Sequence, residues 1–443
     1  MTSDTVRSGS RRRTLPVGDL LLESGETLPG VRMAYETWGR LNEARDNAVL
    51  VLHALTGDSH VEGPAGPDSP TPGWWPGLIG PGRALDTDRY FVVAPNVLGG
   101  SRGSTGPSSP GPDGRPWGSM FPRVTVRDQV RAEALLADRL GIHTFAAVVG
   151  GSMGGMRALE WAVTLPGRVR RCLPIATSAI ASADQIAWAT PQLFAIKGDP
   201  AYHRGDYYPG PGPRHGLEIA RQIAHATYRT AEELQERFGA DSQEGEDPAA
   251  GGRYAVQSYL EHHGQKLARR FDANSYVVLT EVMNGHDIGR DRGGVEAALR
   301  RITADLTVVV VDSDRLFTPG EGERIATSPA CRDLVTVHSR YGHDGFLIET
   351  DQVFAAIGDA LEDRAPSGAK AAQVALVATN GTGTARSVPA GDAGVGDSPA
   401  TAELRTHGVA LPADRAERRA EVRPAVPFSA PGLPPVLAGT GLW

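Results

Sequence analysis

The chain has 443 residues and a mass of 46.8 kDa, with 45 Lys and Arg against 52 Asp and Glu, a net charge of −7. The acidic balance argues against a dedicated nucleic-acid binder, and no apolar run of about 18 residues offers a membrane helix. Two cysteines, Cys172 and Cys331, are too few for a disulfide framework or a cysteine zinc site, and they suit a reducing cytoplasm.

The N-terminus lacks the apolar stretch of a secretory signal. Residues 1–13, with Arg11-Arg12-Arg13, read as a solvated tail. Short β-branched runs follow at Ala48–His53, Tyr90–Ala94, Phe145–Val149, Arg171–Ala176, Thr307–Val311 and Leu334–His338. Most are apolar nearly throughout, as strands buried on both faces of a parallel sheet should be. Val126–Leu140 carries Val126, Val130, Ala134 and Ala137 on one helical face, and Met156–Thr164 and Asp351–Leu361 read as helices too. This alternation predicts an α/β, mostly parallel, doubly wound sheet formed by residues 14–177 and 301–365. Residues 178–300 are dominated by helical stretches and read as a helical lid insertion. Residues 366–443 are rich in Ala, Pro, Gly and Ser and read as a disordered tail. The chain's 54 glycines and 33 prolines fall partly there and partly in loops expected at the site edge.

The most informative stretch is Gly150-x-Ser152-x-Gly154, placed directly after an apolar run and before a helical pattern. A strand that turns sharply into a helix presents a serine nucleophile, and the flanking glycines permit the close backbone approach. On such elbows the acid and then the histidine follow in the chain. The run ending at Val311 leads into Asp312-Ser313-Asp314, so either aspartate fits the acid. Of the Gly-His-Asp tripeptides at 285–287 and 342–344, only the second follows these aspartates; His343 is therefore the candidate base and His286 a structural residue. The oxyanion donors fall to the backbone N–H of Met153, after the nucleophile, and of Leu55, in the turn after Ala48–His53. No metal-ligand cluster or full dinucleotide fingerprint is present, so neither a metal nor a resident cofactor is expected.

These segments, in order, resemble the homoserine O-acyltransferase family of the α/β-hydrolase fold. The resemblance rests on His53-Ala-Leu-Thr-Gly-Asp-Ser-His60, Gly73-Trp-Trp-Pro-Gly-Leu-Ile-Gly80, Arg102-Gly-Ser-Thr-Gly-Pro107, Gly150–Glu160, Arg270-Phe-Asp-Ala-Asn-Ser-Tyr276, Ser313-Asp-Arg-Leu-Phe317 and Tyr341-Gly-His-Asp-Gly-Phe-Leu347. It spans residues 14–363 and is similar above all to the actinobacterial homoserine O-acetyltransferases. It implies Asp314 as the acid. It also implies an amino-acid clamp of Thr56, Arg221, Tyr228 and Asp344, with Arg221 on the substrate carboxylate and Asp344 on its ammonium. The implied substrates are L-homoserine and acetyl-CoA, the latter a co-substrate, and the implied setting is methionine biosynthesis in a cytoplasmic homodimer. Succinyl-CoA as donor, serine as acceptor, or a plain esterase remain the alternatives. Ser101 and Arg157 depart from the common family pattern, at positions outside this chemistry.

Overall fold

One eight-stranded sheet organises the computed structural model, which describes residues 11–67 and 69–362. Its strands are β1 (Arg13–Leu21), β2 (Thr27–Trp38), β3 (Ala48–Leu52), β4 (Phe91–Pro95), β5 (Ala147–Gly151), β6 (Arg171–Ile175), β7 (Asp305–Val311) and β8 (Cys331–Val337). The spatial order is β1-β2-β4-β3-β5-β6-β7-β8. β1 pairs with β2, and β2 with β4, in antiparallel fashion; all other neighbours run parallel. The central strands are apolar because both faces are covered. Leu50 and Leu52 of β3 face one core while Val49 and Val51 face the other, and Val308 and Val310 alternate with Val309 and Val311 in β7.

The helices in chain order are α1 (Val126–Arg139), α2 (Met153–Thr164), α3 (Ala183–Gly198), α4 (Arg214–Tyr228), α5 (Ala231–Phe238), α6 (Ala255–Ala268), α7 (Ala273–Asn284), α8 (Val295–Leu299), α9 (Pro319–Ala326), α10 (Gly345–Ile348) and α11 (Thr350–Leu361). α1 starts at a capping box, with Thr125 and Asp128 satisfying each other's backbone donors. α3 to α8 all lie between β6 and β7. The chain stretches on either side of α3–α7 are tied together by hydrogen bonds from Ala181 N to His286 O (2.9 Å) and from Ile288 N to Ala179 O (3.0 Å).

The sheet is mostly parallel, as expected; one feature of it went unannounced, and one reading needs correction. β1 and β2 carry the antiparallel edge, which no apolar run announced: Pro16 and Gly18 interrupt β1, and Pro29 and Gly30 interrupt β2. The arginine tail is also partly structural. Arg13 opens β1, and Arg12, 12% exposed, reaches Asp58 (3.3 Å), Glu36 (3.7 Å) and the hydroxyls of Ser59 and Ser69. The stretches at 1–10 and 366–443 expected to stay unfolded lie outside the described residues.

Candidate active site

Four loops at the C-terminal edge of the sheet converge. They follow β3, β5, β7 and β8, where open α/β sheets place their ligands. Ser152 stands between β5 and α2 with φ 56° and ψ −122°, a conformation that costs a non-glycine residue about 1–3 kcal/mol. Its N–H donates to Ile175 O (2.9 Å), and its carbonyl accepts from Thr177 Oγ1 (2.8 Å). The flanking glycines are needed for space. A Cβ on Gly150 would lie 2.2 Å from Gly154 O, and one on Gly154 would lie 2.0 Å from Leu52 O. The first turn of α2 is thereby pressed onto the end of β3, beside the turn that carries Leu55.

His343 Nε2 lies 3.0 Å from Ser152 Oγ, and His343 Nδ1 lies 2.6 Å from Asp314 Oδ2. All three side chains are buried. Asp314 is itself fixed, since its Oδ1 accepts the backbone N–H of Leu316 (2.8 Å) and Phe317 (2.9 Å). Burial disfavours the imidazolium of His343, but the charge and hydrogen bond of Asp314, with Asp344 and Glu321 beyond, outweigh it and hold its pKa above the ordinary histidine value. The two aspartates left open by spacing have separate partners: Asp312 binds exposed His338 (2.9 Å) and Asp314 binds buried His343. His286 is absent from this group; its Nε2 donates to Ser178 O (3.1 Å) at the root of the inserted helices.

Met153 is the first residue of α2, so its N–H has no acceptor within the helix. Leu55 lies in the turn closed by Gly57 N to Ala54 O (3.0 Å). Leu55, Tyr228, Leu316 and Phe317 also line a cavity that runs beneath α3 and α7, between Trp188, Gln192, Thr280 and Met283. Tyr228 stacks obliquely on His343, ring centroids 5.5 Å apart, and the Arg221 guanidinium lies over the Tyr228 ring, 5.4 Å from its centroid. Arg221 is 1% exposed, and neither its Nε nor its Nη2 meets a hydrogen-bond acceptor. Asp344 is buried next to His343. Burial raises its pKa, while Arg229, 3.4 Å away, and Arg221 oppose the rise.

Several contacts of the site carry no sequence signal. Arg229 bridges Asp344 to Glu233. Glu321 accepts Gln185 Nε2 on both oxygens (3.1 and 3.2 Å), and burial, with the charges of Asp314 and Asp184, lifts its carboxyl to about 7. Arg157 is fully buried. It binds Glu133 Oε1 (2.6 Å) and donates to His53 O (2.5 Å), so it braces the start of the Leu55 turn, closer to the site than its sequence reading placed it. Thr56 presents its carbonyl to Arg270 Nη1 (3.0 Å). Such partners come from distant segments, and only the fold brings them together. Among the described residues, no cluster of three His, Cys, Asp or Glu side chains could hold a metal ion, and no helix is long and apolar enough to cross a membrane.

Known proteins agree with this architecture. A family model described as the alpha/beta hydrolase fold matches residues 47–350. The chain is 64% identical over 377 residues to the homoserine O-acetyltransferase of Thermobifida fusca, covering 82% of this chain and all of that one. Its structure is similar to the homoserine O-acetyltransferase of Bacillus anthracis, with a TM-score of 0.74, 26% identity, and 81% and 99% of the two chains covered. Esterase E22 is also similar, with a TM-score of 0.72, 27% identity, and 80% and 100% covered. With a serine elbow on an eight-stranded hydrolase sheet and a full-length relative at this identity, the chain belongs to the homoserine O-acetyltransferase family, acyltransferases of the α/β-hydrolase fold.

Proposed function

We propose that the chain transfers an acetyl group from acetyl-CoA to the hydroxyl of L-homoserine, giving O-acetyl-L-homoserine for methionine biosynthesis in the cytoplasm. His343 Nε2 takes the Ser152 proton, and Ser152 Oγ attacks the thioester carbonyl. The oxyanion rests on the Leu55 and Met153 amides. His343 returns the proton to the departing CoA thiolate, leaving an acetyl ester on Ser152. The homoserine hydroxyl, deprotonated in turn by His343, attacks that ester, and as the ester bond to Ser152 breaks His343 passes the proton to Ser152 Oγ.

The observation that carries the reading is Arg221. A guanidinium buried with two nitrogens unsatisfied is costly unless an anion completes it, and its planar fork suits a carboxylate. An acceptor held there by its carboxylate, one aromatic ring from His343, gains the effective concentration it needs to outcompete water. A plain esterase, the reading that the likeness to esterase E22 favours, has no use for such a group.

The test is to mix the protein with acetyl-CoA and follow free thiol. Release stalls after a single equivalent without homoserine and turns over on its addition; sustained release without an acceptor overturns the transferase reading. Ser152→Ala abolishes the acetyl adduct seen by mass spectrometry. Arg221→Lys raises the homoserine KM by about 10- to 100-fold, the worth of a charged hydrogen bond, and leaves acetylation of Ser152 in place. Succinyl-CoA and L-serine in the same assay decide donor and acceptor. We further propose that the chain is a homodimer joined through the inserted helices, where α3 exposes Phe194.

A further inference from the structure

His53 directly follows β3 and is 1% exposed, yet both of its ring nitrogens are engaged. Val97 N–H lies 3.1 Å from His53 Nε2, and Nδ1 lies 2.8 Å from the carbonyl oxygen of Ala54. A backbone N–H can only donate, so Nε2 is the acceptor and the ring proton sits on Nδ1, pointing at Ala54 O. Burial, reinforced by the nearby Arg157 charge, holds the imidazole neutral by depressing its pKa. The tautomer is thus set by geometry and the charge state by burial.

Ala54 O and the Leu55 N–H belong to one planar trans peptide and point in opposite directions. Whatever fixes that oxygen aims that N–H. A donor on the oxygen also polarises the amide and makes its N–H a stronger donor in turn. Ala54 O also accepts Gly57 N–H (3.0 Å), which closes the turn, so His53 is the side-chain donor of two on that oxygen; the neighbouring carbonyls are held as well, His53 O by Arg157 Nη2 and Thr56 O by Arg270 Nη1. We propose that His53 is a positioning residue of the oxyanion hole: its Nδ1–H aligns and polarises the Ala54–Leu55 peptide so that Leu55 N–H meets the developing oxyanion. It touches no substrate and acts through the peptide it holds. The inference rests on the assignment of Leu55 as an oxyanion donor.

Two variants separate this role from simple packing. Gln at this position puts an acceptor where Nε2 stood, keeping Val97 satisfied but losing the donor to Ala54 O. Asn puts an N–H₂ where Nδ1 stood and loses the acceptor for Val97. Acylation of Ser152 is followed as the nitrophenolate burst from 4-nitrophenyl acetate, which needs neither CoA nor homoserine. His53→Gln slows the burst by about 10- to 100-fold, part of the roughly 10²- to 10³-fold lost when an oxyanion donor is removed, with little change in KM for the ester. His53→Asn recovers most of that loss. Melting temperatures of both variants supply the packing control. Equal rate losses in the two variants, or losses that follow melting temperature, overturn the proposal. A wild-type burst with the ester but no acetylation by acetyl-CoA overturns the donor reading instead, while the Gln–Asn comparison still decides the role of His53.

Discussion

Asp312 and Asp314 stand two residues apart and hold different histidines, one pair exposed and one buried. Position along the chain could not choose between them, because both directly follow the same strand. Burial and the backbone donors that fix Asp314 make the difference. In the proposed reaction His343 must be neutral to take the serine proton, and its surroundings raise its pKa above the ordinary histidine value. Activity therefore falls on acidification from a higher pH than a free histidine would give. Asp314→Asn removes the main charge that raises this pKa and releases the tautomer. The plateau of kcat/KM drops by about 10⁴-fold, and the acidic limb of the pH profile moves to lower pH, with Asp344 and Glu321 supplying what upward pull remains. A limb that stays in place would assign the titration to Glu321. The serine and the histidine were legible because a glycine-flanked elbow and chain order constrain them. The unpaired state of Arg221 was not, since it depends on what other helices leave unoffered.

The central strands and the longer helices were readable from unbroken apolar runs and 3.6-residue spacing. α2 starts at Met153 rather than Met156, because its first turn is built of glycines that carry no periodicity but fit against β3. α8 and α9, of five and eight residues, are too short for a periodic pattern to stand out. The inserted helices are closed at their root by His286. Its Nε2 donates to Ser178 O, its Nδ1 is buried without a partner, and burial lowers its pKa to about 4. The unfolded chain takes up a proton there near pH 6.5 while the native chain does not. The stability His286 confers is therefore whole above that pH and is lost as pH falls toward 4. His286→Gln keeps a donor for Ser178 and does not titrate. The stability advantage of the wild type over this variant shrinks by up to roughly 3 kcal/mol between pH 7 and pH 4, read from urea unfolding at each pH. A constant difference would mean that Nδ1 is open to protonation in the native state. Turnover at neutral pH is the same in both proteins.

Across the whole molecule, the parallel sheet was legible and its antiparallel edge was not. Edge strands face solvent on one side, and their alternating residues resemble loops when read singly. Phe194, 70% exposed on α3, belongs to this scale as well. If the inserted helices join two copies, Phe194→Asp lowers the mass found by sedimentation equilibrium toward 46.8 kDa; a variant that keeps the wild-type mass places the interface elsewhere. The Glu133–Arg157 contact has a consequence for how this sequence can vary. Both side chains are sealed from solvent, and Glu133 also accepts Trp161 Nε1 (2.7 Å). Replacing either partner alone strands a full charge, at a cost of about 3–5 kcal/mol, comparable with the total stability of many domains. Exchanging both for apolar residues of similar volume removes both charges and leaves only Trp161 Nε1 and His53 O to find new partners, about 1–3 kcal/mol each. The two positions therefore form one heritable unit: a lineage can cross from the charged pair to a neutral one only by a double step or through a poorly folded ancestor.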